Sequence, residues 1–147
     1  DSSVVSDATL SYLSVSCPTK LTDISFRRCP LIGRNAGIVG QLRTSNDLHS
    51  LELIQLESLS DSAFKSLFLD EEASIFMPKK KLHELDLSKS INLTNESLLC
   101  ISKYAKNLRS LTLEGQANMN DDTFHITLKL LTKWVSLSFI IRTGIKR

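Results

Sequence analysis

Apolar residues recur along this chain at a spacing of three and then two. Leu48, Leu51 and Leu53 set the pattern, and Leu82, Leu85, Leu87 and Leu108, Leu111, Leu113 repeat it. Degenerate copies flank them at Leu21, Ile24, Phe26 and at Trp134, Leu137, Phe139. The first positions, 21, 48, 82, 108 and 134, are separated by 27, 34, 26 and 26 residues. The spacing of two predicts a short strand with one buried face. A second motif recurs as Val5-Ser6-Asp7, Leu59-Ser60-Asp61, Leu93-Thr94-Asn95 and Met119-Asn120-Asp121. Ser6, Ser60, Thr94 and Asn120 fit helix N-caps, whose side chains accept from otherwise orphaned amides. Asp7, Asp61 and Asp121 then place negative charge at the positive end of the helix. Spacing becomes helical beyond the cap, in Leu10 and Leu13, Phe64 and Leu67, and Leu98 and Ile101.

Each unit therefore reads as strand, turn and helix. One such unit cannot bury its apolar side alone, whereas a stack of them can. A period near 26 lies in the leucine-rich-repeat range. The expected fold is α/β: a curved leucine-rich-repeat solenoid with parallel strands on the concave face and helices on the convex face. Residues 1–147 are expected to form one such domain. The first helix has no strand of its own. The last strand, with Val135, Leu137, Phe139 and Ile141, has no covering helix. Both ends are therefore expected to continue in a longer solenoid, or to be covered by a partner or a second copy.

Composition leaves this picture intact. The chain has 147 residues, 41% hydrophobic and 23% charged, with a formal net charge of +2. That is an ordinary globular mixture, and the charge is too small for a nucleic-acid footprint without a clustered patch. Arg27-Arg28 and Lys79-Lys80-Lys81 do not form such a stripe. No apolar run approaches the ~18 residues that span a bilayer, so neither nucleic acid nor membrane is expected as a partner. Cys17, Cys29 and Cys100 are odd in number and scattered, which argues for a reducing, intracellular setting over a disulfide framework.

Catalytic and metal chemistry finds little support. His49 and His83 occupy the same place in their units and are expected to stack on adjacent strands. The equivalent place in the next unit holds Arg109, a cation where a third metal ligand would be needed. His125 has no acidic or nucleophilic partner at a fixed spacing. Cys17 falls at a helix end and Cys100 within a helix, where a small apolar filler is the default. "LIGRNAGIVG" lacks the Lys-Ser/Thr ending of a phosphate loop. The sequons at Asn92 and Asn95 coincide with the cap motif. No cofactor, metal site or enzymatic activity is expected.

The motifs resemble the cysteine-containing leucine-rich-repeat family, the repeat type of F-box/leucine-rich-repeat substrate receptors and of mitotic-exit antagonist-like proteins. "LTDISFRRCPLI" carries the strand and its terminal cysteine, Cys29. "SDATLSYLSVSCPTKL" carries the cap, the helix and the pair Cys17-Pro18. The strand-end cysteine is replaced by Leu56, Ser90 and Gln116 in later units, and the helix-end cysteine by Ala105 and Leu131. No F-box segment is present. The resemblance implies a non-catalytic protein-recognition module, the substrate-binding repeats of a ubiquitin-ligase complex. Cullin-type ligase subunits would be engaged through regions outside this chain. A scaffold or regulator unconnected to ubiquitination is the alternative.

The register then names the concave face. Its outward positions are Asp23, Ser25, Arg27 and Arg28; Ser50, Glu52, Ile54 and Gln55; Glu84, Asp86, Ser88 and Lys89; and Ser110, Thr112, Glu114 and Gly115. One column reads Ser25, Glu52, Asp86, Thr112 and its neighbour Asp23, Ser50, Glu84, Ser110. The centre is acidic and Arg27, Arg28 and Lys89 mark one rim, which fits a protein partner with basic residues opposite Glu52, Glu84 and Asp86. The long interval between Leu48 and Leu82 places an insertion around Asp70 to Lys81. It is expected to be a solvated helix extension and turn stopped by Pro78, with Ile75, Phe76 and Met77 folding back onto the body. A docking role for its charges is the alternative.

Overall fold

The computed structural model describes residues 4–16, 21–35, 42, 45–70, 75–76, 81–119, 125, 129 and 138–140. Its elements, in chain order, are α1 (Asp7–Ser16), β1 (Asp23–Arg27), β2 (Ser50–Ile54), α2 (Asp61–Lys65), β3 (Leu69–Asp70), β4 (Ile75–Phe76), β5 (Glu84–Asp86), α3 (Asn95–Tyr104), β6 (Ser110–Thr112) and β7 (Ser138–Ile140). The fold is α/β. Five strands form one all-parallel sheet in the order β1-β2-β5-β6-β7, so each unit lies beside the one before it.

The spacing-three-then-two pattern sets the buried rows. Ile24, Leu51, Leu85 and Leu111 stand in one register across four strands. Leu48, Leu82 and Leu108 precede them, and Leu53, Leu87 and Leu113 follow; all are buried in one cluster with the helix residues Leu10, Phe64, Leu98 and Ile101. Fully burying each such side chain contributes roughly 1.5–3 kcal/mol in transfer terms. Polar residues alternate outward, as a half-buried strand requires.

One rung sits elsewhere than the spacing implies. Leu111 pairs with Phe139, two residues beyond Leu137. A shift of two preserves which residues face the same side, so the alternation Leu137, Phe139, Ile141 cannot distinguish the registers. The insertion differs too. Helix α2 ends at Lys65, and no helix extension follows among the described residues; Leu69–Asp70 and Ile75–Phe76 pair as a short antiparallel ribbon. Met77, Pro78, Lys79 and Lys80 lie outside the described residues, as do Cys17, Asn120, Asp121, Leu131, Trp134, Val135, Leu137 and Ile141.

The cap motif does more than start helices. Ser60 Oγ accepts from the Ala63 amide at 3.3 Å, and Thr94 Oγ1 from the Glu96 amide at 3.3 Å. At α1 the relation is reversed, with the Ser6 amide donating to Thr9 Oγ1. The aspartates after the cap reach into the next unit. Asp61 accepts from the Thr94 amide (3.0 Å), Thr94 Oγ1 (2.7 Å) and Ser97 Oγ (2.5 Å). Asp7, itself buried, accepts from the amides of Gly33 (2.7 Å) and Asn35 (2.8 Å). Each carboxylate thus joins two successive units through charge-assisted bonds.

A second set of bonds runs backward. Ser58 donates to the Pro30 carbonyl, Asn92 to that of Glu57 and Asn118 to that of Ile91. The residues replacing the strand-end cysteine follow the same logic. Ser90 Oγ donates to the Leu53 carbonyl and accepts from the Leu56 amide, while Gln116 Nε2 donates to the Leu87 carbonyl. A buried polar residue is tolerated there because the preceding strand ends in a carbonyl that needs a donor.

Candidate functional site

The polar side of the sheet carries the predicted surface in four rows. Asp23, Ser50, Glu84 and Ser110 are in register, as are Ser25, Glu52, Asp86 and Thr112. Arg27 pairs with Ile54 in a third row that the turn residues Ser88 and Glu114 extend. A hollow of about 100 Å³ lies over Ser50, Glu52, Glu84, Asp86, Ser110 and Thr112.

The acidic centre is smaller than the sequence reading implies. Glu52 Oε2 is engaged by Arg27 at 2.7 Å and by Ser25 Oγ at 2.5 Å. The Ser25 bond, followed by the Arg27 guanidinium, holds the Glu52 carboxyl below its ordinary range. Glu52 and Arg27 therefore satisfy one another within the sheet face. Asp86 Oδ1 accepts from the Ser88 amide at 2.9 Å, which closes the turn after β5. Glu84 remains exposed, and its carboxylate has no hydrogen bond or ion pair among the described residues. Ser88 is nearly covered, and its hydroxyl accepts from the Glu114 amide, so it braces the scaffold beneath the face.

The fourth row was hidden from sequence inspection as a structural feature. Arg28 and Gln55 directly follow their strands, Lys89 and Gly115 lie three residues beyond theirs, and all have positive φ: 51°, 54°, 58° and 69°. The left-handed region disfavours any residue with a Cβ. The turn imposes it because the amides of Arg28, Gln55 and Lys89 bond to the carbonyls of Ile54, Ser88 and Glu114 in the next unit. Glycine at the fourth place was the available signal. Arg28, Gln55 and Lys89 line a trough of about 490 Å³ at the strand ends, with Arg27, Ile54, Asp86 and Glu114 beside them.

At the opposite strand ends, His49 and His83 are neighbours as expected, but they meet edge to face and do not stack, with ring centroids 5.6 Å apart at 68°. His49 Nδ1 lies 2.6 Å from the Asp47 carbonyl. Burial, then Arg109 and then His49, lowers the His83 pKa. Asp47 also pairs with Lys81, which holds its carboxyl below the ordinary range. Among the described residues no group of three His, Cys, Asp or Glu is placed to hold a metal. Cys100 is buried in α3 and its thiol is pushed up to about 12, chiefly by burial, the reverse of what activates a nucleophile. His125 is exposed. No helix among the described residues is long and apolar enough to cross a membrane. No family model and no curated protein matches the chain.

Proposed function

We propose that the chain is a leucine-rich-repeat solenoid that recognises a protein segment on the polar face of its sheet, without catalysis. The observation that carries this is the in-register polar array across four neighbouring strands, above a continuous leucine core. Such an array holds many side chains in fixed relative positions on rigid backbone, which favours recognition of an extended partner. Glu84, exposed between Ser50 and Ser110, is the natural seat for a basic side chain of that partner. The sequence resemblance extends the reading to the substrate-binding repeats of an intracellular F-box-type ubiquitin ligase, with cullin-type subunits engaged elsewhere.

Affinity capture from cell lysate with the wild-type chain and with a Glu84→Lys, Asp86→Asn variant tests the proposal. The pair alters the charge of the centre, while the carboxamide oxygen introduced by the second change still accepts from the turn amide. Ligase clients identified by mass spectrometry on the wild type and lost from the variant, at unchanged circular dichroism, are expected. Identical capture by both proteins would refute recognition at this face. Capture of proteins unconnected to ligases would leave recognition standing and remove the ubiquitination assignment.

A further inference from the structure

Resting on the recognition reading, we infer that the trough at the strand ends receives an acidic side chain of the bound segment, held by Arg28, Gln55 and Lys89. The bound segment is then bipolar, with a basic residue over Glu84 and an acidic one at the rim.

Three observations converge on this. The first is backbone conformation. Arg28, Gln55 and Lys89 occupy left-handed φ values that glycine would adopt without strain, and Gly115 does so in the next unit. Long donor-bearing side chains are thus present where the turn itself asks for glycine, and strained positions of this kind cluster at functional sites.

The second is space. The trough of about 490 Å³ accommodates a side chain of a partner, with Ile54 on its wall. A Cβ on Gly115 would lie 3.2 Å from Lys89 Cγ, so the Lys89 stem runs past Gly115, which leaves room for it.

The third is charge. Arg27, Arg28 and Lys89 line the trough against Asp86 and Glu114. Arg27 is matched by Glu52, and Asp86 is bonded to the Ser88 amide. The Lys89 ammonium has no ion-pair partner among the described residues, and neither does Glu84 on β5, the strand that precedes the Lys89 turn. Those two unmatched charges are five positions apart, at most about 17 Å along the chain. An extended peptide, at about 3.3 Å per residue, covers that distance in up to five residues.

The test is a titration of the ¹⁵N-labelled protein with two peptides. One is Lys-Lys-Gly-Ser-Gly-Glu-Glu, and the other replaces both glutamates by glutamine. The first is expected to move the amide resonances of Arg28, Gln55 and Lys89 together with those around Glu84. The second is expected to move only the latter. In an Arg28→Gly, Lys89→Gly variant, affinity for the glutamate peptide is expected to fall about tenfold, to that of the glutamine peptide. The melting temperature should hold or rise, because glycine suits the left-handed backbone, so lost binding is separable from lost folding. Rim resonances that respond equally to both peptides, or undiminished affinity in the glycine variant, would overturn the inference while leaving recognition at Glu84 in place. Peptides that move no resonance of the sheet face would overturn both.

Discussion

Replacing Asp61 separates the inter-unit bond from the helix start. Its carboxylate accepts three hydrogen bonds, from the Thr94 amide, Thr94 Oγ1 and Ser97 Oγ, all in the following unit. Asp61→Ala removes every acceptor at once. Thr94 is half-buried and can turn to water, so its two bonds cost about 1 kcal/mol each. Ser97 is 1% exposed and cannot, so its orphaned hydroxyl adds about 1–3 kcal/mol. The sum is about 3–5 kcal/mol, a large share of the ~5–15 kcal/mol typical of a folded domain. Asp61→Asn behaves differently. Its Oδ1 keeps the Thr94 amide and Ser97, and its Nδ2 donates to Thr94 Oγ1, so only charge assistance is lost, about 1 kcal/mol. Urea unfolding followed by circular dichroism reads the difference. At a slope of about 1–3 kcal/mol per molar, the alanine midpoint should drop by about 1–5 M and the asparagine midpoint by about 0.3–1 M, a three- to fivefold smaller shift at any one slope. The double variant Asp61→Ala, Ser97→Ala should be less destabilised than the two single changes combined, since the orphan is gone. An alanine cost below about 1 kcal/mol, or equal costs for alanine and asparagine, would refute the account.

Three further outcomes follow from the same geometry. Gly33→Ala places a Cβ 2.7 Å from Leu59 Cα at a φ of +89°, so a loss of about 2–5 kcal/mol is expected in the same unfolding assay. The depressed Glu52 pKa means that the Ser25–Glu52–Arg27 cluster stabilises the fold above the ordinary carboxyl value of 4.5 and loses that contribution as pH falls through the lower folded value; Glu52→Gln should flatten this part of the acid limb of stability against pH. A Cys100 pKa near 12 against an ordinary 9.0 leaves the native thiolate roughly a thousandfold depleted, so iodoacetamide at pH 8 should modify Cys100 only after unfolding, as peptide mapping by mass spectrometry would show.

The sequence by itself determined what depends on local periodicity. Spacing two between leucines sets which face of each strand is buried, and the repeated leucine motif aligns Asp23, Ser50, Glu84 and Ser110 in a row despite one enlarged interval, because equivalent residues of stacked units meet. Ser60 and Thr94 were legible as caps because a cap bonds amides only two or three residues away. Tertiary structure decided what depends on partners far along the chain. Asp61 was legible as a first-turn charge, but its three donors lie 33 and 36 residues away. The neutralisation of Glu52 by Arg27 and the burial of Ser88 are consequences of two strands lying side by side, and no spacing announces them. The shift of Phe139 into register with Leu111 preserves alternation, so only the pairing itself could settle it. The left-handed row is the clearest case: Arg28, Gln55 and Lys89 carry no local sign of positive φ, because that conformation is imposed by carbonyls of the neighbouring unit that their amides must reach.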